Sequence, residues 1–246
     1  MNLKVVRDAF IIASLKSIPD LKRQPSMLIL MGLISAMPLF FILVFGGKMS
    51  YGLIGAMIGA VSFIGLSAAI QDITWDRYVK IREMIVAMPV HPVSYAMGVA
   101  IAPLVFSSLG MLFFLLIALW QGFIPLFSVG WVIVSVLLCW AVLSGVGFII
   151  STYLQKANTY TLSNLSNILG IGLLFIPPVY YPEELLGAYS WVAMIFPTSN
   201  AASLIRVYSG FLELPQEVLI VRWLILTVTL FVSIVAVALK SKWREA

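Results

Sequence analysis

The residues able to do polar chemistry in this chain are few, and one long charged segment stands out between its apolar runs. Of 246 residues only 10% are charged, yet Asp72, Asp76, Arg77, Lys80, Arg82 and Glu83 fall together in residues 72–92, between two long uncharged runs. A stretch so charged does not lie in hydrocarbon and must face water. Read as a helix, Trp75, Tyr78, Ile81 or Arg82, and Ile85 recur at three and four residues, with Arg77, Lys80 and Glu83/Met84 on neighbouring lines. That spacing predicts a short interfacial helix exposed on one side, ended by Pro89 and Pro92. The chemistry such a segment offers is recognition of a partner by mixed charge and apolar contact. A charged loop that only anchors two spans is the alternative left open by composition.

Other chemistries fare worse. Gly46-Gly47-Lys48-Met49-Ser50 has the look of a phosphate loop, but Ile42 stands where the first glycine is needed and Met49 where Ser or Thr would bind magnesium. No nucleotide site is expected in this chain. The single His91 sits between two prolines, where a capping or surface role is expected, and the single Cys139 lies in an apolar run, which allows no internal disulfide and no cysteine metal site. The apolar runs hold no His/Asp/Glu cluster, no Ser-Lys or Asp-Asp pair and no metal set, which argues against an integral-membrane enzyme. Nothing in the pattern points to nucleic acid.

The elements that position the charged stretch follow from composition. A chain that is 62% hydrophobic, with a mean hydropathy of +1.07, lies far outside the range of soluble domains and belongs in a bilayer. Runs of about 20 apolar residues, the length that crosses the hydrocarbon core, occur at 27–45, 49–71, 93–120, 126–153, 159–176 and 218–239, with Gln121-Gly122 and Pro125 breaking the long uncharged run. The run 185–205 could pass for another span, but Gly187, Ser190, Pro197 and Thr198-Ser199-Asn200 suit a broken or re-entrant segment better. With six spans, twelve of the fifteen Lys and Arg residues share one side, and only Lys48, Arg206 and Arg222 fall opposite. The positive-inside rule then places both termini and residues 72–92 in the cytoplasm. The expected fold is an all-α, multi-pass protein of the cell membrane in one transmembrane domain, 1–246.

Three further features complete the reading. Residues 1–26 form an interfacial helix up to Pro19, with Leu3, Val6, Phe10 and Ala13 on one line. No cleaved signal peptide is read there. The pair Gly55 and Gly59 has the spacing that lets helices approach closely, more simply within one subunit than as a dimer motif. Tyr160, Asn164 and Asn167 stand at i, i+4 and i+7 with Ser163 alongside; a cavity lining and an interhelical hydrogen-bond ladder explain them equally. The turn 154–160 is a second short cytoplasmic connection, available to the same partner as 72–92.

Asp76-Arg77, then Glu83, then Met88-Pro89-Val90 resembles the cytoplasmic signature of permease subunits of type-2 ATP-binding-cassette (ABC-2) exporters, although Lys80 and Ile81 stand where that family usually shows Gly-Thr. A second match lies in 177–210: Tyr181-Pro182-Glu183, Phe196-Pro197, Arg206 and Gly210 occupy the family's positions in order. The resemblance covers nearly the whole chain. It implies six spans with a re-entrant helix pair before the last, and a second permease copy, or a similar permease, as partner. It also implies a separate ATPase subunit that holds ATP and Mg²⁺, none being bound by this chain, and a prokaryotic setting.

By the same resemblance Asp76, Arg77, Arg82, Glu83, Met84, Ile85, Met88 and Pro89 are expected to dock on the ATPase. Spans two and five, with Tyr160, Ser163, Asn164 and Asn167, would wall the path. The uncharged polar lining favours amphipathic, drug-like or lipid-like cargo; polysaccharide or glycolipid export is the rival within the family, and an ATP-independent carrier or channel the rival outside it. A mid-membrane Arg costs about 2.5 to 3.5 kcal/mol, so Arg206 and Arg222 are expected near the outer surface, with Glu183, Glu184, Glu213 or Glu217 as partners and Arg222 snorkelling outward.

Overall fold

The computed structural model describes residues 3–23, 48–78, 92–154 and 157–240. Those residues form helices and turns, with no strand among them. The helices are α1 (Leu3–Arg23), α2 (Met49–Tyr78), α3 (Pro92–Trp120), α4 (Val129–Tyr153), α5 (Thr159–Phe175), α6 (Pro197–Tyr208) and α7 (Gln216–Lys240), with 3-10 segments at Leu126–Ser128 and Glu183–Ile195. Three stretches are long and apolar enough to cross a membrane: Met49–Trp75, Leu126–Tyr153 and Gln216–Val237. They coincide with the runs expected at 49–71, 126–153 and 218–239.

The expected span at 93–120 is helical but bent by 43° between Val93–Val105 and Ser107–Trp120; Pro103 lies inside it and removes one backbone donor from the ladder. Helix α5, where a fifth span is expected, has 17 residues. At about 1.5 Å per residue it falls short of the roughly 30 Å hydrocarbon core. The run 27–45 lies outside the described residues. Between α3 and α4 the chain turns where expected: Gly122 takes a positive φ of 72°, open to glycine at no steric cost.

Helix α2 is the hub, packed against α3, α4, α5 and α6. Its inward residues Leu53, Met57 and Val61 meet Phe114, Val136 and Leu162 in the main core. Such enclosure follows from small side chains. Gly52, Gly55, Ala56, Gly59, Ala60 and Ser62 leave room for neighbours on every side, and in a bilayer, where lipid is as apolar as leucine, close packing is what holds helices together.

Helix α1 corrects two expectations. It continues through Pro19 to Arg23, because Pro19 lies on the exposed face, where the carbonyl it leaves without a donor stays accessible. Its line of Val6, Phe10 and Ala13 is also split: Ala13 turns inward with Ala9 and Ser17, while Phe10 is 60% exposed. Ile12 and the Ala9 carbonyl press on Gly98 of α3.

The ends of the bundle differ in chemistry. One carries Lys16 of α1 facing Asp72 of α2 at 3.9 Å, and the α2 terminus that leads into the charged stretch; we call it the basic end. The other carries the turn after α3 and the segment between α5 and α7, and is called the far end.

Candidate functional site

The far end holds the densest polar cluster among the described residues. It is built on the chain between α5 and α7. After α5, Pro177 and Pro178 stop the helix, and Pro182 opens the 3-10 segment Glu183–Ile195, which breaks at Gly187 with φ 52° and ψ −122°. Phe196 is extended, as a residue before proline should be, and Pro197 starts α6 at a position where its missing donor costs nothing. Helix α6 is closed by Gly210 at φ 78°. The Gly210 N–H donates to the Val207 carbonyl and the Phe211 N–H to the Arg206 carbonyl, at 3.0 and 2.8 Å, a Schellman stop. Two helical pieces therefore stand where the expected pair was placed.

Both far-end arginines are buried, each 1% exposed. Burial on this scale corrects the expectation that Arg222 snorkels: it turns inward because a partner waits there. Arg222 Nη2 donates to Glu183 Oε2 at 2.6 Å and Nη1 to Asn200 Oδ1 at 3.3 Å. Glu183, one of the four expected acidic partners, also accepts from the Ser203 hydroxyl. Asn200 donates in turn to the Met194 and Phe196 carbonyls at 2.7 and 3.1 Å. One carboxylate thus joins the 3-10 segment, α6 and α7.

Arg206 is held by different means. Its Nη1 and Nη2 donate to the Pro178 and Val179 carbonyls at 3.1 and 2.6 Å, and its guanidinium lies 4.2 Å from the centroid of the Tyr51 ring on α2. No carboxylate pairs with it among the described residues. Two carbonyls and an aromatic face replace the counter-ion. Beside it the Tyr180 ring fills the notch at Gly55 and Gly59, so the close approach read from those glycines is made within one chain.

Of the other expected site residues, Tyr181 donates its hydroxyl to the Ile176 carbonyl at 2.5 Å. On α5, Tyr160 is 80% exposed and Asn164 and Asn167 are also exposed, while Ser163 is half-buried and its carbonyl accepts from Ser166. The outward amides of Asn164 and Asn167 make no hydrogen bond among the described residues. The contact that ties α5 to α2 runs instead from Gln71 Nε2 to Ser166 Oγ at 2.9 Å. Helix α2 is enclosed by its own neighbours among the described residues. Asp76 and Arg77 lie in the last turn of α2, and Arg82, Glu83, Met84, Ile85, Met88 and Pro89 lie outside the described residues.

Sequence reasoning passed over Tyr51, Tyr180 and Ser203, and took Asn200 only as a sign of a broken segment. The last two were legible in principle, since Asn200, Ser203 and Arg206 stand three apart on one helical line. Neither a protein-family model nor a curated protein matches this chain.

Proposed function

We propose that this chain is the membrane-spanning permease subunit of an ATP-driven exporter of the ABC-2 type. In this reading two permease copies pair with two separate ATPase subunits, which hold ATP and Mg²⁺, and carry an amphipathic, drug-like or lipid-like molecule out of the cytoplasm. The observation that carries the reading is the course of α2. It runs unbroken for 30 residues from the far-end cluster to Asp76 and Arg77, so the charged stretch 72–92 begins on the most enclosed helix of the bundle. A ligand-driven machine moves its membrane part only through contacts that differ between states, and a stiff, fully packed helix transmits such a displacement.

In this assignment residues 77–89 form the link, with Arg77, Arg82 and Glu83 making polar contacts to the ATPase and Met84, Ile85 and Met88 docking into it. The exposed amides of Asn164 and Asn167 support a polar-lined path beside α5, since an amide facing hydrocarbon lacks a partner. Residues 177–210, with the pieces Glu183–Ile195 and Pro197–Tyr208, are the outer segment of this permease. The test is to purify the tagged protein from its own membranes in mild detergent. An ATPase carrying a phosphate loop is expected in equal amount, and to be lost with Glu83→Lys. A chain that comes out alone, or a Glu83→Lys variant that exports normally, contradicts the assignment.

A further inference from the structure

We propose that the outer segment is clasped to α2 and moves with it, so that a shift begun at the basic end is delivered along α2 to the far end. This inference rests on the permease reading above.

The clasp is a closed ring of contacts. From α2, the Gly55 and Gly59 notch receives the Tyr180 ring, and a side-chain carbon at Gly55 would overlap that ring. The carbonyls of Pro178 and Val179, just before Tyr180, are gripped by Arg206 at 3.1 and 2.6 Å. Arg206 then returns to α2 by lying 4.2 Å from the Tyr51 ring centroid. Tyr51 and Gly55 are four apart and so lie on one face of α2. The segment therefore touches α2 at two adjacent turns, and Arg206 locks its own backbone between them.

The two sides of the segment are held by unlike contacts. Toward α2 the contacts are a packed ring, which also stacks on Phe175 of α5, and a cation 4.2 Å from an aromatic centroid that Lys48 Nζ approaches only to 6.0 Å. Toward α7 the hold is Glu183 on Arg222, where a hydroxyl and an amide also crowd the same groups. An ion pair with neighbouring donors and acceptors can exchange partners, whereas a ring seated in a glycine notch has one seat. The α2 side is thus the carrying side, and the α7 side is the one that gives. At the other end of α2, Gln71 and Asp72 are tied to Ser166 and Lys16, so α2 is gripped where the charged stretch begins and again at the clasp.

The test uses the permease with its co-purified ATPase in proteoliposomes. Ser190, exposed in the outer segment, is changed to Cys; Cys139 is buried and stays silent. The rate at which a membrane-impermeant maleimide labels the introduced thiol is measured without nucleotide and after vanadate trapping with ATP. In the parent the rate is expected to change several-fold between the two states. With Tyr51→Ala or Tyr180→Ala the change is expected to disappear while ATP hydrolysis continues. Tyr51→Phe, which keeps the ring face, should restore the full response and so controls for a loss of folding. An outer segment indifferent to nucleotide in the parent, or a response undiminished in both alanine variants, overturns the clasp. Absence of any co-purifying ATPase overturns the permease reading itself.

Discussion

Helices α2 and α7 are both apolar and long enough to span a bilayer, yet their situations are opposite. In the span-length window of α2, 89% is buried inside the protein; in that of α7, 17%. Hydropathy does not separate them. Side-chain size does: α2 is laced with Gly, Ala and Ser, whereas α7 carries Leu, Ile, Val and Phe almost throughout, with Phe231, Val232 and Ile234 more than half exposed. Small residues let backbones approach from every side, and large ones suit a helix that meets lipid on most of its surface. Where α7 does turn inward it does so at Arg222, for one ion pair, and at Leu226 and Ser233, against α4 and α6. The lesson is that one helix is held by shape along its length and the other mainly by chemistry near one end.

That contrast can be broken most severely at Arg222. Arg222→Ala leaves Glu183 without its cation, and breaking a buried pair by removing one partner costs roughly 3 to 5 kcal/mol. The thermal midpoint in detergent should fall markedly. Replacing Arg222 and Glu183 together by Leu should return much of the loss, because no orphaned charge remains. A double variant as unstable as the single one would contradict a chemical anchor.

The next test compares the two helices directly. Gly55→Val drives two methyl groups into the Tyr180 ring and is expected to cost about 1 to 3 kcal/mol. Val232→Ala on the exposed face of α7 should stay within about 0.5 kcal/mol. Equal costs would erase the distinction between shape and chemistry. A smaller effect is expected from Thr198→Val, which removes the hydroxyl that donates to the Leu173 carbonyl at 2.6 Å, worth about 1 kcal/mol. Last, Asn164→Leu with Asn167→Leu should leave stability within about 0.5 kcal/mol while export falls several-fold. Unchanged export would remove these amides from the path.

Much of the fold was legible before any coordinates. Charge spacing and apolar run length marked α2, α4 and α7, Gly122 marked the turn between α3 and α4, and Gly55 and Gly59 marked a close approach. Glu183 stood among the partners expected for the far-end arginines. What the pattern could not carry was depth. Arg222 reads as a snorkelling cation because the apolar residues around it give no sign of a carboxylate folded in from 39 positions away. Tyr51 and Tyr180 drew no reading from the sequence, since a ring's seat depends on the backbone notch opposite it. Helix α5, Thr159–Phe175, ends within a residue of the run expected at 159–176, before Pro177 and Pro178.

Whether an ATPase moves this chain through residues 77–89 is decided by efflux from proteoliposomes holding the chain and its co-purified ATPase. A fluorescent amphipathic cargo should leave only with ATP and Mg²⁺, and Glu83→Lys should abolish export while the variant inserts normally. Cargo movement that needs no ATP, or that survives Glu83→Lys at the parent rate, would contradict that link.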